Sequence, residues 1–295
     1  HRLIESDWVQ QEYVLAAIIA HQTDWEEALL DRREDAHEYV MQLLSGKSKA
    51  DFGQGVDGKF QWHSLEAEAA YKNLRSDWKQ VNFAVFFRAQ AAHLAQMLST
   101  RGRKVDETEA EQMIAEYYDK LDALRWVKYR IIKSLQQTGM VYSPFGTYRK
   151  LPGIWSPSRR DQAEAERMGC NAPIQIAGYH VMARGMLRVA RKWRGHLPLV
   201  APRPAEVMFT IHDEIVAQAR HDFVEEAQHD MLTEMSKPHP ELVGGCGIPR
   251  GIPSTAKVTD AWSGLSAEDA EGVAREREEA LENERQREDG SSRAY

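Results

Sequence analysis

The sequence is poor in the features that mark secreted, metal-stabilised and membrane proteins. Among its 295 residues only two are cysteines, Cys170 and Cys246, which lie far apart and form no CxxC pair. A disulfide framework or a structural zinc site is therefore not expected, and a reducing, cytoplasmic compartment is favoured over secretion. No signal peptide opens the chain, and no apolar run approaches the ~20 residues that a membrane span needs. We therefore expect a non-secreted protein without a membrane partner.

Positive charge is also scarce, since the formal net charge is −7. The excess of acid is unevenly distributed, because the segment from Glu268 to Tyr295 contains ten acidic residues and five arginines and so supplies −5 of that total. The rest of the chain is close to neutral and leaves room for a local basic cleft. Residues 266–295 contain almost no apolar side chains and are predicted to form a solvated helix or a disordered tail.

The order of the predicted elements indicates an α+β chain that is mostly helical and contains a small antiparallel sheet. A short strand over 3–6 leads to Asp7, and strand-like runs over 206–211 and 214–219 form a hairpin with His212 and Asp213 at its bend. A second hairpin is predicted over 141–152, an exposed loop over 46–58 and a last strand over 254–262. The predicted helices cover 10–20, 26–44 with a break near 33–35, 63–98, 106–137, 161–194 with an interruption around 169–173, and 223–235.

One helical stretch places two cations and two aromatic rings on a single face. Arg75, Lys79, Phe83 and Phe87 are spaced by four residues, and each such step advances only ~40° around a helix. Two fixed cations suit a polyphosphate, and a ring beyond them suits a sugar or a base. A helix whose basic side chains lie beside a buried aromatic core would give the same pattern.

Two aspartates at predicted strand ends could form a metal site. Asp7 and Asp213 are about 200 residues apart in the sequence, but carboxylates on adjacent strands can hold two divalent cations ~4 Å apart, as two-metal phosphoryl transfer requires. Each aspartate alone is better explained as a turn or capping residue. The interpretation therefore depends on the motifs around them.

In several separated motifs and in their order, the sequence resembles the family A (polymerase I-type) DNA polymerases, with some similarity to bacteriophage members. The matches are residues 7–12 to the palm motif Asp-Tyr-Ser-Gln-x-Glu, 75–87 to the fingers motif Arg-x3-Lys-x3-Phe-x3-Tyr, 167–175 to Arg-x3-Asn-x-Pro-x-Gln, 211–214 to the palm motif hydrophobic-His-Asp-Glu, and Gly146 with Leu151-Pro152 to a Gly…Leu-Pro hairpin. The resemblance implies a right-hand polymerase lacking a thumb, with palm segments over 1–24 and 141–265 and a helical fingers segment over 25–140.

The resemblance also implies template-directed DNA synthesis with two Mg²⁺ ions, for which Mn²⁺ could substitute. Asp7 and Asp213 would be the metal ligands, the carbonyl oxygen of Trp8 would add a ligand, and Glu214 would support the site. The triphosphate of a dNTP would contact Arg75, Lys79 and His37, and its sugar would contact Glu12 and Phe83. The templating base would contact Phe87. The primer–template DNA would contact Arg167, Asn171, Gln175 and His212.

The sequence departs from the family pattern at several of these motifs. Val9 and Val14 replace a serine and an arginine in the first motif, Phe87 replaces a tyrosine, Arg88 stands where glycine normally follows, and His180 replaces an aspartate. These changes leave the metal and triphosphate residues in place but put the template-side contacts in doubt. Because the chain starts six residues before Asp7, we expect a missing N-terminal region or a second polypeptide to carry the thumb, with any exonuclease.

Two other functions are compatible with parts of the pattern. A single-subunit phage-type RNA polymerase shares the aspartates and the cations, but Glu12 and Phe83 would meet a 2′-hydroxyl. A catalytically silent DNA-binding subunit has no physical need for a desolvated pair of acids. The order of the motifs disfavours a helical protein without a nucleic-acid role.

Overall fold

The structure is a computed structural model that describes residues 1–57, 59–100, 104–194 and 203–259. In these residues, helices pack around one four-stranded sheet. The strands are β1 (Arg2–Trp8), β2 (Gly53–Val56), β3 (Lys59–Trp62), β4 (Met140–Tyr142), β5 (Tyr148–Lys150), β6 (Ala205–Ile211), β7 (Glu214–Ala219), β8 (His239–Val243), β9 (Pro249–Arg250) and β10 (Ser254–Thr259). The α-helices are α1 (Gln11–Ala20), α2 (Thr23–Glu26), α3 (Ala36–Ser45), α4 (Leu65–Phe86), α5 (Ala91–Ser99), α6 (Glu107–Lys120), α7 (Asp122–Thr138), α8 (Arg159–Arg194) and α9 (Val224–Met235).

The main sheet joins parts of the chain that are far apart in sequence. Its strand order is β10-β1-β7-β6, and all pairings are antiparallel. Asp7 on β1 lies opposite Glu214 on β7 and Thr255 on β10. The two predicted palm segments, 1–24 and 141–265, therefore contribute strands to one sheet. The exact boundaries of the predicted segments remain predictions. The predicted tail, 266–295, lies outside the described residues.

Helices α8 and α9 cover the sheet and anchor the strand that carries Asp7. The Trp8 side chain is buried, and its Nε1 atom donates a hydrogen bond of 3.0 Å to the carbonyl oxygen of Met235. Gly185 on α8 lies against the same indole, because a Cβ atom at this position would be 2.6 Å from Trp8 Cζ2. This close approach seats α8 directly behind β1.

We expect the Gly185→Ala variant to lose about 1–3 kcal/mol of unfolding free energy, because the added methyl group overpacks a rigid buried ring. Denaturant unfolding measures this loss. Gly178→Ala is the matched control on the same helix, since its Cβ would meet the end of the flexible Gln11 side chain. Its change should stay within about 1 kcal/mol of zero, because alanine is the better helix former. Equal losses in the two variants would contradict this account of the packing.

Four of the predicted elements are wrong in detail. The helix predicted over 63–98 is two helices, since α4 ends at Phe86 and α5 begins at Ala91. The run over 106–137 is broken at Leu121, where Gln22 Oε1 accepts a 3.0 Å hydrogen bond from the backbone N–H of Ala123. Helix α8 is not interrupted around 169–173, since it continues through Pro173 with its flanking residues buried on both sides. Burial thus outweighs the ~3 kcal/mol that an internal proline costs. The predicted loop over 46–58 contains strand β2, which pairs with β3 immediately after it in a hairpin.

A buried lysine donates a hydrogen bond to the C-terminal end of α4. Lys128 on α7 donates from Nζ to the carbonyl oxygen of Phe86 and, at 3.3 Å, to the hydroxyl oxygen of Tyr118. Burial lowers its pKa to about 8. An unfolded lysine keeps its proton up to a pKa of about 10.4, so the unfolded chain binds more protons than the folded chain between these values.

We therefore expect the unfolding free energy to rise by roughly 1–2 kcal/mol between pH 8 and 9.5, and the Lys128→Met variant to lack this rise. Denaturant titrations at several pH values measure it. Lys133→Met, an exposed position on the same helix, should keep the rise of the unmodified chain. The assignment fails if both variants show the same dependence on pH.

Within the described residues, no helix combines the length and the apolar character needed to cross a membrane.

Candidate active site

Asp7 and Asp213 lie at the same end of neighbouring strands. Asp213 directly precedes β7, whose first residue, Glu214, is opposite Asp7. His212 forms the bend between β6 and β7 with a left-handed backbone (φ 51°), which presents Asp213 at the hairpin tip. The Thr255 hydroxyl donates a hydrogen bond to Asp7 Oδ1 and holds that carboxylate in place.

Burial and neighbouring acids raise the pKa values of Asp213, Glu214 and Glu12 at this end of the sheet. Burial raises the pKa of Asp213, and the negative charge of Asp7 raises it further. The pKa of Glu214 is raised by burial and by Glu5 and Asp7, and that of Glu12 by burial and by Asp213. These side chains are therefore close enough to repel one another, and a bound cation would relieve that repulsion.

The donor set fits a magnesium site that is completed by substrate. No three acidic, histidine or cysteine side chains in the described ranges converge on a metal site of their own. Mg²⁺ in proteins keeps several waters and is commonly held by one or two carboxylates together with substrate phosphates. Asp7 and Asp213 meet that requirement, and the repulsion between them is the observation that favours a cation.

A cavity of about 510 Å³ opens beside the acid pair. It brings together three predicted site residues with Asp213, namely Glu12, Gln175 and His212. The exposed ring of Tyr179 on α8 also lines it, although the sequence motifs gave no reason to expect this residue. The cavity is therefore the natural position for the reacting end of a substrate.

Helix α4 carries the predicted cations and rings. Arg75 Nη2 lies 2.8 Å from Oδ2 of Asp35, the N-cap residue of α3, and Arg75 Nε lies 3.6 Å from Oε1 of Glu38 in the first turn of that helix. Both acids therefore form ion pairs with this arginine. Lys79 is exposed. Phe83 is 55% exposed, and its ring centroid is 4.6 Å from that of Phe87, which packs partly into the core. The side chains of Lys79 and Phe83 are therefore accessible to a ligand, while that of Phe87 contributes to packing.

His37 is buried beside this helix. Asp35 caps α3 by accepting hydrogen bonds from the backbone N–H groups of His37 and Glu38 at 3.0 and 2.9 Å. Burial lowers the pKa of His37 to about 4, and the charges of Arg75 and Lys79 act in the same direction. The ring is therefore neutral at pH 7 and lies within the field of both cations.

The remaining predicted DNA contacts are divided between two places. Arg167 lines a separate cavity of about 1240 Å³, together with Arg88, Arg159 and Arg160. Asn171 is buried on α8, and its Oδ1 atom has no hydrogen-bond partner among the described residues. Arg167 and Asn171 thus do not share the cavity that Gln175 and His212 line.

Comparison with known proteins decides the family. A model of DNA polymerase family A matches residues 57–246. The chain belongs to DNA polymerase family A. It is 29% identical over 208 residues to the thermostable DNA polymerase I of Thermus filiformis, covering 68% of this chain and 23% of that protein. It is 22% identical over 272 residues to the DNA polymerase of Escherichia phage T5, covering 87% and 30%.

A solved structure supports the fold of this family A chain. The POL domain of Pol1 from M. smegmatis, in complex with DNA primer-template and dNTP, matches with a TM-score of 0.70 at 19% identity, over 89% of this chain and 40% of that one. The similarity confirms the α+β polymerase fold class. The chain spans less than a third of the length of the two relatives above. Because both bacterial and phage polymerases match it, a particular similarity to the phage members of the family remains a prediction.

Proposed function

We propose that this family A chain performs template-directed DNA synthesis, transferring nucleotides from dNTPs to a primer 3′-hydroxyl. The observation that carries the proposal is the position of Asp7 and Asp213 on neighbouring strands beside the cavity lined by Glu12, Gln175 and His212. Phosphoryl transfer depends on positioning and on neutralising charge rather than on covalent chemistry, and these residues suit that task.

In the proposed reaction, the 3′-hydroxyl oxygen bonds to the α-phosphorus of the dNTP, pyrophosphate leaves with the oxygen that bridged to it, and the hydroxyl proton passes to water. Asp7 and Asp213, with the Trp8 carbonyl, would hold two Mg²⁺ ions. When bound, these ions lower the pKa of the hydroxyl and neutralise the leaving pyrophosphate. Arg75 and Lys79 hold the triphosphate, and His37 adds a hydrogen bond. Glu214 keeps the local charge negative.

We propose that DNA contacts both cavities. Gln175 and His212 border the primer terminus, and Asn171, one helical turn before Gln175 on α8, is a further proposed contact. Arg167, with the arginines of the larger cavity, binds the template strand. Five arginines along one cavity, beside the half-exposed ring of Tyr129, provide backbone charge contacts and a stacking surface. Because base pairing selects the nucleotide, these contacts need to read shape and backbone only.

A thumb from an N-terminal region or a second polypeptide would complete the enzyme. Met208 and Phe209 on β6 are 48% and 39% exposed. β6 is an edge of the main sheet within the described chain, and an exposed apolar edge strand is a typical site for added strands. Native mass spectrometry of the complex purified from its source cells tests this, since a single mass equal to that of this chain would exclude a partner.

Primer extension tests the function itself. A labelled primer annealed to each of four templates is incubated with the purified protein, or with the complex recovered from its source, and with one dNTP at a time. The proposal expects incorporation opposite the complementary base and none without Mg²⁺ or Mn²⁺. Incorporation that ignores the template base would contradict it. DNA and dNTPs as partners also imply a cytoplasmic location.

We expect the Glu12→Ala variant to incorporate ribonucleotides roughly 10- to 200-fold more readily relative to deoxyribonucleotides, the range expected when a pocket gains the room of a small group. Glu12 is half-buried in the cavity that contains Asp213, so its side chain would occupy the space of a 2′-hydroxyl. Single-nucleotide kcat/KM ratios measure this. Glu12→Gln is the matched control, because it keeps the volume and should keep the discrimination. Equal use of both sugars by the unmodified enzyme would favour an RNA polymerase instead.

A further inference from the structure

A chain of three buried polar side chains links α6 to His37 through α4. The Tyr117 hydroxyl on α6 donates a 2.8 Å hydrogen bond to Asn82 Oδ1. Asn82 Nδ2 lies 3.1 Å from His37 Nδ1 and 3.4 Å from the carbonyl oxygen of Ala36. Tyr117 and Asn82 are fully buried, and His37 is 8% exposed. None of these three groups therefore depends on bulk water for its hydrogen bonds.

The network fixes the orientation of the Asn82 amide. The carbonyl oxygen of Ala36 can only accept, so the amide atom facing it must be the NH₂ group, which has two donors. The opposite amide atom is then Oδ1, which accepts from the Tyr117 hydroxyl. A flipped amide would place two oxygens face to face at Ala36. Every polar atom of Asn82 is thereby satisfied in only one orientation.

The oriented amide in turn selects the protonation state of His37. Asn82 Nδ2 can only donate, so His37 Nδ1 must be the acceptor and carry the lone pair. A neutral imidazole has one donor and one acceptor nitrogen, so its proton lies on Nε2. The charged and titratable groups acting on this ring are Asp35 at the N-cap of α3 and Arg75 and Lys79 on α4, and the Tyr13 ring on α1 packs edge-on to it at 5.1 Å.

We propose that Asn82 and Tyr117 are positioning residues that hold His37 as a neutral Nε2–H donor for the triphosphate of the incoming nucleotide. The proposal rests on the nucleotide-binding role proposed above for His37, Arg75 and Lys79. A neutral donor adds a hydrogen bond to the phosphates without a third positive charge, which would be costly to bury beside two cations. Binding of a dNTP through His37 is then independent of pH around neutrality.

The protonation state can be measured without any enzymatic activity. In the protein labelled with ¹⁵N-histidine, the nitrogen shifts of His37, assigned by their loss in His37→Gln, should report Nε2–H and an unprotonated Nδ1 from pH 5.5 to 8. Asn82→Asp presents a carboxylate that accepts from Nδ1–H, so the ring should become protonated near neutral pH. Tyr117→Phe removes the donor to Asn82 Oδ1 and leaves only the 3.4 Å contact with Ala36 to hold the amide, so a minor population of the Nδ1–H tautomer should appear.

Tyr118→Phe is the matched control, because it removes a neighbouring hydroxyl on α6 that also bonds to α4, at the carbonyl oxygen of Val85 (3.0 Å). Its His37 shifts should equal those of the unmodified protein. An Nδ1–H tautomer in the unmodified protein would overturn the proposal, as would His37 shifts left unchanged by Asn82→Asp. If Asn82→Asp proves unstable, the proposal is tested by comparing the His37 nitrogen shifts of Tyr117→Phe with those of Tyr118→Phe.

The functional arm compares KM for a dNTP in primer extension. The ratio of KM in Asn82→Asp to KM in the unmodified enzyme should rise several-fold from pH 6 to pH 8, as the additional ring charge is lost. A constant ratio, together with altered nitrogen shifts, would overturn the link between His37 and the triphosphate. If the unmodified enzyme shows the Nε2–H tautomer but incorporates no nucleotide, the proposed function fails while the positioning of the ring stands.

Discussion

The Asp213→Asn variant is expected to incorporate dNTPs roughly a thousandfold more slowly than the unmodified enzyme, with no loss of folding stability. Metal ligation supplies several kcal/mol of charge stabilisation in the transition state, and about 4 kcal/mol corresponds to that factor in rate. Stability should stay equal or increase, because the substitution removes a half-buried charge that Asp7 repels. Single-turnover primer extension and denaturant unfolding measure the two effects.

Asp222→Asn is the matched control for this substitution. Asp222 is an exposed acid that pairs with Arg220 at 2.7 Å, away from the acid pair. We expect its rate of incorporation to stay within twofold of that of the unmodified enzyme. If Asp213→Asn and Asp222→Asn extend primers at the same rate, the acid pair is not the catalytic centre, whatever the fold.

The second large effect is expected at Lys79. Lys79→Ala should lower kcat/KM for a dNTP by roughly 10- to 150-fold, the range that corresponds to one hydrogen bond to a charged group. Because Lys79 is exposed, its loss should change the unfolding free energy by less than about 0.5 kcal/mol. The same substitution at Arg75 would be harder to interpret, since Arg75 also holds Asp35 and Glu38.

Lys72→Ala provides the control on the same helix face. Lys72 lies two turns before Lys79 and pairs with Glu68 at 2.8 Å on the surface. We expect no change in KM for dNTPs, since a charge this far along the helix is screened by salt and solvent. A similar loss in both variants would mean that general positive charge, rather than a specific phosphate contact, governs binding.

The sequence predicted the acid pair because local patterns define it. Alternating apolar residues on each side of His212 and Asp213 specify a hairpin, and its tip is where an unpaired acid can project. The spacing of Arg75, Lys79 and Phe83 likewise needs only the helical period. The hairpin was predicted within one residue of the observed limits of β6 and β7. The start of the helix was predicted close to that of α4, but its predicted end near residue 98 lies well beyond Phe86, where α4 ends.

Contacts between distant segments could not be predicted in this way. Helices α6 and α7 separate at Leu121, where the backbone N–H of Ala123 donates to the neighbouring Asp122 and also to Gln22, a hundred residues earlier. The contact with Gln22 has no signal in the sequence near Leu121. The partners of His37 are equally remote, since Asn82 and Tyr117 lie 45 and 80 positions further along the chain. Such residues appear in the sequence as ordinary members of amphipathic helices.

Helix α8 has a mechanical consequence that follows from its continuity through Pro173. Its first turns line the larger, arginine-rich cavity, and its middle turns line the cavity beside Asp213. From Arg167 to Gly178 the axial rise is about 16 Å, since each helical residue adds 1.5 Å. The offset and relative rotation of the two cavities are thus set by a residue count. Inserting a single residue between them would turn one lining by ~100° against the other, so this stretch can change in composition far more easily than in length.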